Sequence, residues 1–496
     1  MSGAQDVWRA GHLPGLANAD IDWHTLRFDA VPGQPLQVAV PTITPQQARE
    51  LAQRVRQSAR EVLQAMPVSD VIARIDCAVA RLLDARDPLR QEADALLPRV
   101  TGYDAAMVRL GLTRYLQTFR APQLHRFVSE DFANPKVLDE FQPAVKGGMV
   151  RAFGPELLLH HWAGNVPGLP LWSLACALMV KAGSIGKLPS AEPVFATLFA
   201  RALSQVDPAL GACFAVVWWK GGDAEPAATL NAQADTVLAY GGQEAVQQIR
   251  AQVPTTTRFL AYGHKVGVGL VGCAALDMQH GPLTARRAAQ DVARYEQQGC
   301  YSPHVLYVER GARLAPREFA QHLAGELAAL ALRHPRPALA LAEASAVAQW
   351  RQSAEFAALR ADAAGTDALF GDETSPWAVA FTERAVPLTP SAGWRCIQVV
   401  AVDSLEAAAD ALAPHGAYLQ TAGVAVEPAR LYTLSERLGR VGVTRVCALG
   451  AMTAPEAGWH HDGGFNLRDL VRITEIEAAA ERAADPLAPY AQEDTP

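Results

Sequence analysis

The chain of 496 residues is short of lysine: it has six, Lys136, Lys146, Lys181, Lys187, Lys220 and Lys265, among 44 basic residues, so arginine carries most of its positive charge. Acidic residues outnumber basic ones, 51 to 44. That balance speaks against a nucleic-acid or polybasic membrane partner, because counterion-release binding needs clustered positive charge. The seven cysteines, Cys77, Cys176, Cys213, Cys273, Cys300, Cys396 and Cys447, are odd in number, widely spaced and without a CxxC pair. Neither a disulfide framework nor a zinc site is suggested, and no metal is expected. The longest apolar region, 157–180, is interrupted by His160, His161, Asn165, Pro167 and Pro170, whereas a membrane-spanning helix needs about 20 mainly apolar residues. Residues 1–30 carry Asp6, Asp20, Asp22, His12 and His24 and no signal-peptide core. A cytoplasmic location is expected. No internal repeat is visible either.

What is present is an ordinary globular composition, 50% hydrophobic and 19% charged, with length for about two to four domains. Residues 1–40 read as irregular, with Pro14, Pro32 and Pro35 preventing long helices. Thr44 then offers a cap and Pro45 a first helical position for an amphipathic helix, with apolar residues at 51, 55, 59, 62, 63 and 66. Helices over 70–84 and 103–118 follow, and 142–155 reads as a hairpin turning at Gly147-Gly148. Short apolar runs at 156–162, 184–188, 213–219, 236–240, 257–261 and 266–274 alternate with helical stretches, the pattern of a parallel α/β sheet. A second α/β set follows, with strands at 304–308, 378–382, 395–402, within 416–425 and at 443–449, and a short strand within 470–477 closes the chain.

Four segments carry the chemistry: HHWAGNVPGLP (160–170), GSIGKLPSAEPVFA (183–196), AYGGQEAVQQIR (239–250) and EQQGCYSPHVLYVE (296–309). Cys300 falls in a tight helix-to-strand connection, where a sulfur can face a cleft; its thiolate is a strong nucleophile if something lowers its pKa or excludes water. Alone, such a cysteine is a small buried hydrophobe. Asn165, before Val166-Pro167, is either a fixed amide or a helix cap. Gly241-Gly242 follows an apolar run and opens a helix, where backbone N–H groups can meet a phosphate. His460, His461 and Asp462 lack the helical spacing of metal ligands, and the cluster reads as a rim loop or a structural turn. Trp218-Trp219, at a strand end, reads as core.

Taken in order, these segments resemble the aldehyde dehydrogenase superfamily, and within it the acyl-CoA reductase branch, the reductase of the bacterial bioluminescence fatty-acid reductase complex. The resemblance covers about residues 140 to 477. It implies an aldehyde dehydrogenase-like α/β fold: two parallel-sheet lobes, one cofactor-binding and one catalytic, plus a small β oligomerisation element. The corresponding division is an N-terminal helical region and start of the cofactor lobe at 1–137, the oligomerisation hairpin at 138–155, the NAD(P) lobe at 156–275, the catalytic lobe at 276–455, and a rim loop with oligomerisation strand at 456–496.

The resemblance implies that Cys300 forms a thioester with the acyl group and that Asn165, with the backbone N–H of Cys300, holds the oxyanion. Lys187 matches the lysine that binds the adenosine ribose or its 2′-phosphate. Ser190 stands where NAD-specific members carry a glutamate, which favours NADPH; NADH stays open because Glu192 is close by. Gly241 and Gly242 match the turn over the nicotinamide side, and the absence of a GxGxxG fingerprint agrees. Ala261 occupies the place of the general-base glutamate of aldehyde-oxidising members. Hydrolysis of a thioacyl enzyme should therefore be slow, and reductive turnover with coenzyme A as part of the substrate more plausible. His264 is a candidate substitute acid/base or a structural histidine. The activity implied is NADPH-dependent reduction of an acyl-CoA thioester to the aldehyde, in a homodimer or higher homo-oligomer, with an acyl-transferring partner enzyme conceivable. Alternatives are an NAD(P)-dependent aldehyde or semialdehyde dehydrogenase making free acid, and a non-catalytic scaffold subunit of an acyl-transfer complex. The six other cysteines are expected to be inert packing, and the acyl chain is not legible.

Overall fold

The computed structural model describes residues 7–360 and 367–488. Most of its parallel strands sort into two sheets. The first has five parallel strands in the order Arg258–Tyr262, Thr236–Tyr240, Leu157–His161, Gly183–Lys187 and Phe214–Val217. Near-continuous burial along its central strands explains why they read as unbroken apolar runs. The second has seven, in the order Ala368–Phe370, Ala378–Thr382, Cys396–Val402, Pro303–Glu309, Val266–Val271, Leu419–Ala425 and Arg445–Ala448, parallel except for the first.

The run 266–274 was expected in the first sheet; its strand, Val266–Val271, instead lies in the middle of the second. Chain geometry requires this. Only Gly263, His264 and Lys265 separate it from Arg258–Tyr262, whereas parallel neighbours in one sheet need a crossover of about a dozen residues or more. The chain passes between lobes on those three residues.

The N-terminal segment corrects a second expectation. Asp22–Phe28 and Leu36–Thr42 pair antiparallel, with Trp8–Arg9 on the other side of the second strand. Pro32 and Pro35 lie in the connection between those strands, so the prolines that exclude helices there bracket a hairpin. Thr44 caps the helix Pro45–Ser58 in a capping box with Gln47. Helices Val68–Leu83 and Ala105–Gln117 lie where expected. Two more, Pro88–Thr101 and Ala121–Asp131, were missed, although Asp87-Pro88 and Gly102 are start and stop signals. These helices share one core with the first sheet, through Phe119, Phe127, Phe195, Phe199 and Phe214.

The hairpin of Gln142–Pro143 and Met149–Phe153 turns on Gly147 (φ 88°) and Gly148 (φ 75°), left-handed positions that favour glycine. Arg472–Ile476 adds antiparallel to Met149–Phe153, so the hairpin and the terminal strand form one three-stranded sheet. Trp218 and Trp219 are core, 5% and 4% exposed. No helix among the described residues is long and apolar enough to cross a membrane.

Candidate active site

The carboxyl edge of the first sheet and the amino edge of the second enclose a cavity of about 440 Å³, bordered by Tyr240 and Tyr262 on one side and His304 and Gln420 on the other. Cys300 opens into it from the connection before the strand Pro303–Glu309. That connection is held in an unusual shape. Tyr295, Glu296 and Gln297 are all left-handed, at φ 52°, 52° and 66°, a conformation costing about 1–2 kcal/mol per non-glycine residue. Glu296 is clamped bidentately by Arg395, which is fully buried, at 2.8 and 2.5 Å. The Gln297 amide donates to the carbonyls of Pro303 (2.6 Å) and Cys396 (2.9 Å). Breaking a buried pair of this kind strands a charge, so the clamp fixes the loop that presents the thiol.

Burial pushes the Cys300 thiol up to about 11; Gln420 counteracts this by hydrogen bonding to the sulfur at 3.4 Å, and Asp462 adds to it. The same Gln420 nitrogen donates to Oδ1 of Asp462 at 2.6 Å. Asp462 is the only carboxylate on the cavity wall among the described residues. Sequence reading missed Gln420; its signal was a long polar side chain inside the apolar run 416–425.

Asn165 borders the cavity, and its Nδ2 donates to the Gln298 carbonyl at 2.6 Å, on the nucleophile's own loop. It does not cap the following helix, Pro170–Met179, whose N-cap is Leu169 without a side-chain bond. Gly241 and Gly242 also border the cavity. Gly242 caps the helix Gln243–Gln252 with no side-chain bond, and no atom lies within 4 Å of where its Cβ would be. The open first-turn N–H groups suit the diphosphate of a nicotinamide dinucleotide.

Lys187 and Ser190 lie along the same sheet edge but do not border this cavity. Lys187, at the end of Gly183–Lys187, is partly buried, which lowers its pKa, and its Nζ lies 5.8 Å from the centre of a Trp219 ring. Ser190 is exposed and accepts from Trp218 Nε1 at 3.0 Å. Glu192 does not face outward toward a ribose. It is 1% exposed, and one of its oxygens accepts from Val194 and Phe195 N–H, each at 2.8 Å, at the start of the helix Phe195–Val206.

Ala261 is exposed on the edge strand Arg258–Tyr262 and does not border the cavity, whereas Tyr262, Gly263, His264 and Lys265 do. His264 therefore lies on the three-residue passage between lobes. His304, buried nearby and hydrogen-bonded to Ser391 Oγ at 3.0 Å, is held neutral, its pKa lowered to about 4 chiefly by burial and then by His264. His461 stacks on Tyr262 at 4.4 Å and lies 5.9 Å from Tyr240, while His460 packs edge-on against Phe465 at 5.2 Å. The cluster thus forms a cavity wall. Among the described residues no three His, Cys, Asp or Glu side chains are placed to hold a metal. All seven cysteines are free; Cys77 is exposed rather than packed, a correction to the expectation for it.

Two α/β lobes joined at their sheet edges around a cysteine-bearing cleft define an aldehyde dehydrogenase-like fold. Solved structures agree on the fold. An aldehyde dehydrogenase from Physcomitrella patens, in complex with succinate, superposes with a TM-score of 0.70 at 14% identity, covering 95% of this chain and 98% of that one. An NADP-dependent glyceraldehyde-3-phosphate dehydrogenase from Bacillus halodurans, complexed with NADP, gives 0.70 at 13% identity over 95% and 99%. The chain belongs to the acyl-CoA reductase (LuxC) family, whose sequence model matches residues 63–473. The long-chain acyl-protein thioester reductase of Photorhabdus luminescens is 25% identical over 398 residues, 79% of this chain and 78% of that protein. That of Vibrio harveyi is 22% identical over 360 residues, 71% of each.

Proposed function

We propose that the protein reduces an acyl-CoA thioester to the aldehyde and free coenzyme A, using NADPH, through an acyl group held on Cys300. The observation that carries this reading is that Cys300, Asn165 and the helix start at Gly242 all border one cavity. Cys300 attacks the thioester carbonyl, its proton leaves with the departing thiol, and the acyl group passes to its sulfur. The developing oxyanion takes hydrogen bonds from the Asn165 amide and the Cys300 backbone N–H, which cost no reorganisation because the Gln298 carbonyl already orients the amide. NADPH, held by Lys187, Ser190, Gly241 and Gly242, would supply the hydride to the acyl carbon; the carbon–sulfur bond then breaks, the aldehyde leaves, and the Cys300 sulfur takes back a proton. His264, which borders the cavity, is the candidate acid.

Asp462, the carboxylate on the cavity wall, is already engaged by Gln420, which favours transfer between thiols over hydrolysis to free acid. The relatives named as acyl-protein thioester reductases make an acyl-transferring partner enzyme a second source of the acyl group. Assembly as a homodimer or larger homo-oligomer belongs to the same reading. The test is acyl-CoA-dependent NADPH oxidation with aldehyde as product. Cys300→Ala should abolish both this turnover and the acyl label that the unaltered protein takes up; retention of turnover by the variant would refute the mechanism, and free acid formed without coenzyme A would favour an aldehyde dehydrogenase.

A further inference from the structure

Outside the cavity, on the far side of the nucleophile loop, a pocket of about 270 Å³ collects Arg114, Arg286, Arg294 and Arg333 with Glu326 and His334. The arginines come from separate elements: the helix Ala105–Gln117, the helix His280–Ala293 and the turn after it, and the helix Pro316–Arg333. Their charge is compensated in part. Arg286 meets Glu326 at 3.7 Å, Arg294 donates to the Thr453 hydroxyl at 2.8 Å and lies near the buried Asp291, and His334 is paired with Asp104 at 2.8 Å. Among the described residues, neither Arg114 nor Arg333 has a carboxylate partner. Convergence of like charges in one pocket is unfavourable in the free protein and becomes favourable when an anion neutralises it.

Arg114 and Arg294 also border a second, narrow cleft, together with Tyr115, Trp172 and Tyr295. Two of these touch the wall of the main cavity: the Tyr115 hydroxyl donates to the Leu169 carbonyl at 3.4 Å, and the Trp172 ring lies 6.4 Å from that of His461. Arg294 stands six residues before Cys300, which bounds their separation at about 20 Å, since a chain spans at most about 3.5 Å per residue. The long pantetheine arm of a thioester carrier covers such a distance.

We propose that this arginine-lined pocket seats the phosphate groups of the pantetheine-type carrier that brings the acyl group, with the arm running along the Trp172 cleft toward Cys300. Guanidinium forks hold phosphate oxygens bidentately, as ammonium groups do not. The proposal rests on the acyl-thioester reading above and adds to it where the carrier sits.

The test compares acyl-CoA, acyl-phosphopantetheine and phosphate-free acyl-pantetheine as substrates of the unaltered enzyme and of Arg114→Ala, Arg333→Ala and the double variant. Both side chains are exposed, so the variants should keep the thermal midpoint of the parent. The preference for acyl-CoA over acyl-pantetheine, as the ratio of kcat/KM values, should fall about tenfold for each arginine and about a hundredfold for both. The loss should be mainly in KM and should shrink at high salt. If acyl-phosphopantetheine follows acyl-CoA, the phosphate next to the pantetheine occupies the pocket; if it follows acyl-pantetheine, the nucleotide phosphates do. An unchanged preference in the double variant overturns the proposal. Failure of the unaltered enzyme to reduce any of the three overturns the acyl-thioester reading instead.

Discussion

The amide nitrogen of Gln420 lies 3.4 Å from the sulfur of Cys300. Because the same nitrogen holds Asp462 at 2.6 Å, one fully buried side chain couples the candidate nucleophile to a carboxylate of the wall. The two neighbours act on the thiol in opposite directions, Gln420 favouring the thiolate and Asp462 opposing it, against a thiol that burial has pushed up to about 11. Alkylation of Cys300 should therefore rise about tenfold per pH unit through the neutral range and show no plateau below about pH 9. Asp462→Asn should speed alkylation at pH 8 and Gln420→Met should slow it, each by about three- to tenfold. Equal rates in all three proteins would break the coupling.

Asn165 is expected to matter to the acyl transfer and not to the thiol itself. Its amide touches the Gln298 carbonyl, while the thiol's hydrogen bond comes from Gln420. Asn165→Ala should lower the rate of acyl-enzyme formation by about a hundredfold to a thousandfold, the loss seen when one oxyanion donor is removed. Iodoacetamide should still alkylate Cys300 at the parental rate. Loss of both together would assign Asn165 to folding of the loop.

Cofactor preference should turn on Ser190, which is exposed near Lys187 and carries no charge. A carboxylate there would repel the 2′-phosphate of NADPH. Ser190→Glu should cut the ratio of kcat/KM for NADPH over NADH by about tenfold or more, since like charges brought together cost several kcal/mol. Glu192 cannot substitute, because it is committed to the start of its own helix. An unchanged ratio would place the ribose elsewhere.

The three-stranded sheet ends on Arg472–Ile476, an edge strand whose Ile473 is 47% exposed. An unpaired edge strand with an exposed apolar side chain can add to a second chain. Light scattering at micromolar concentration should show at least a dimer, and Ile473→Lys should shift it toward monomer without lowering the thermal midpoint. A monomeric parent would remove the assembly.

Most of the first lobe was legible because buried parallel strands write themselves as apolar runs: Leu157–His161, Gly183–Lys187 and Thr236–Tyr240 lie within a residue or two of expectation. The N-terminal hairpin was not, because Asp22–Phe28 alternates only partly and is mostly exposed. The change of sheet at Gly263–Lys265 was legible in principle, from loop length alone, and was missed. At the site, Cys300, Asn165, Gly241 and Gly242 could be named from local motifs. Gln420 and Arg395 could not, since each reaches the nucleophile loop from about a hundred residues away through folding. Local pattern reveals which residues can do chemistry; what orients them comes from distant strands.

Glu192 ties the candidate cofactor segment to stability. Burial pushes its carboxyl up to about 7, against the two N–H donors of Val194 and Phe195. In the unfolded chain a glutamate titrates near 4.3, so between these values the folded protein holds a proton that the unfolded chain releases. The resulting stabilisation is complete below pH 4 and is lost as pH rises through 7, at up to about 1.4 kcal/mol per pH unit. Glu192→Gln should flatten the fall of the thermal midpoint between pH 5 and 8. A single oxygen of Glu192 accepts both bonds, so the glutamine carbonyl can keep them. Asp291, buried beneath Gly450 and Met452 and also pushed to about 7, has the same sign and should leave a residual slope. If the variant and the parent lose stability in parallel across that range, Glu192 is ionised in the fold at neutral pH and its burial is offset by those two N–H groups.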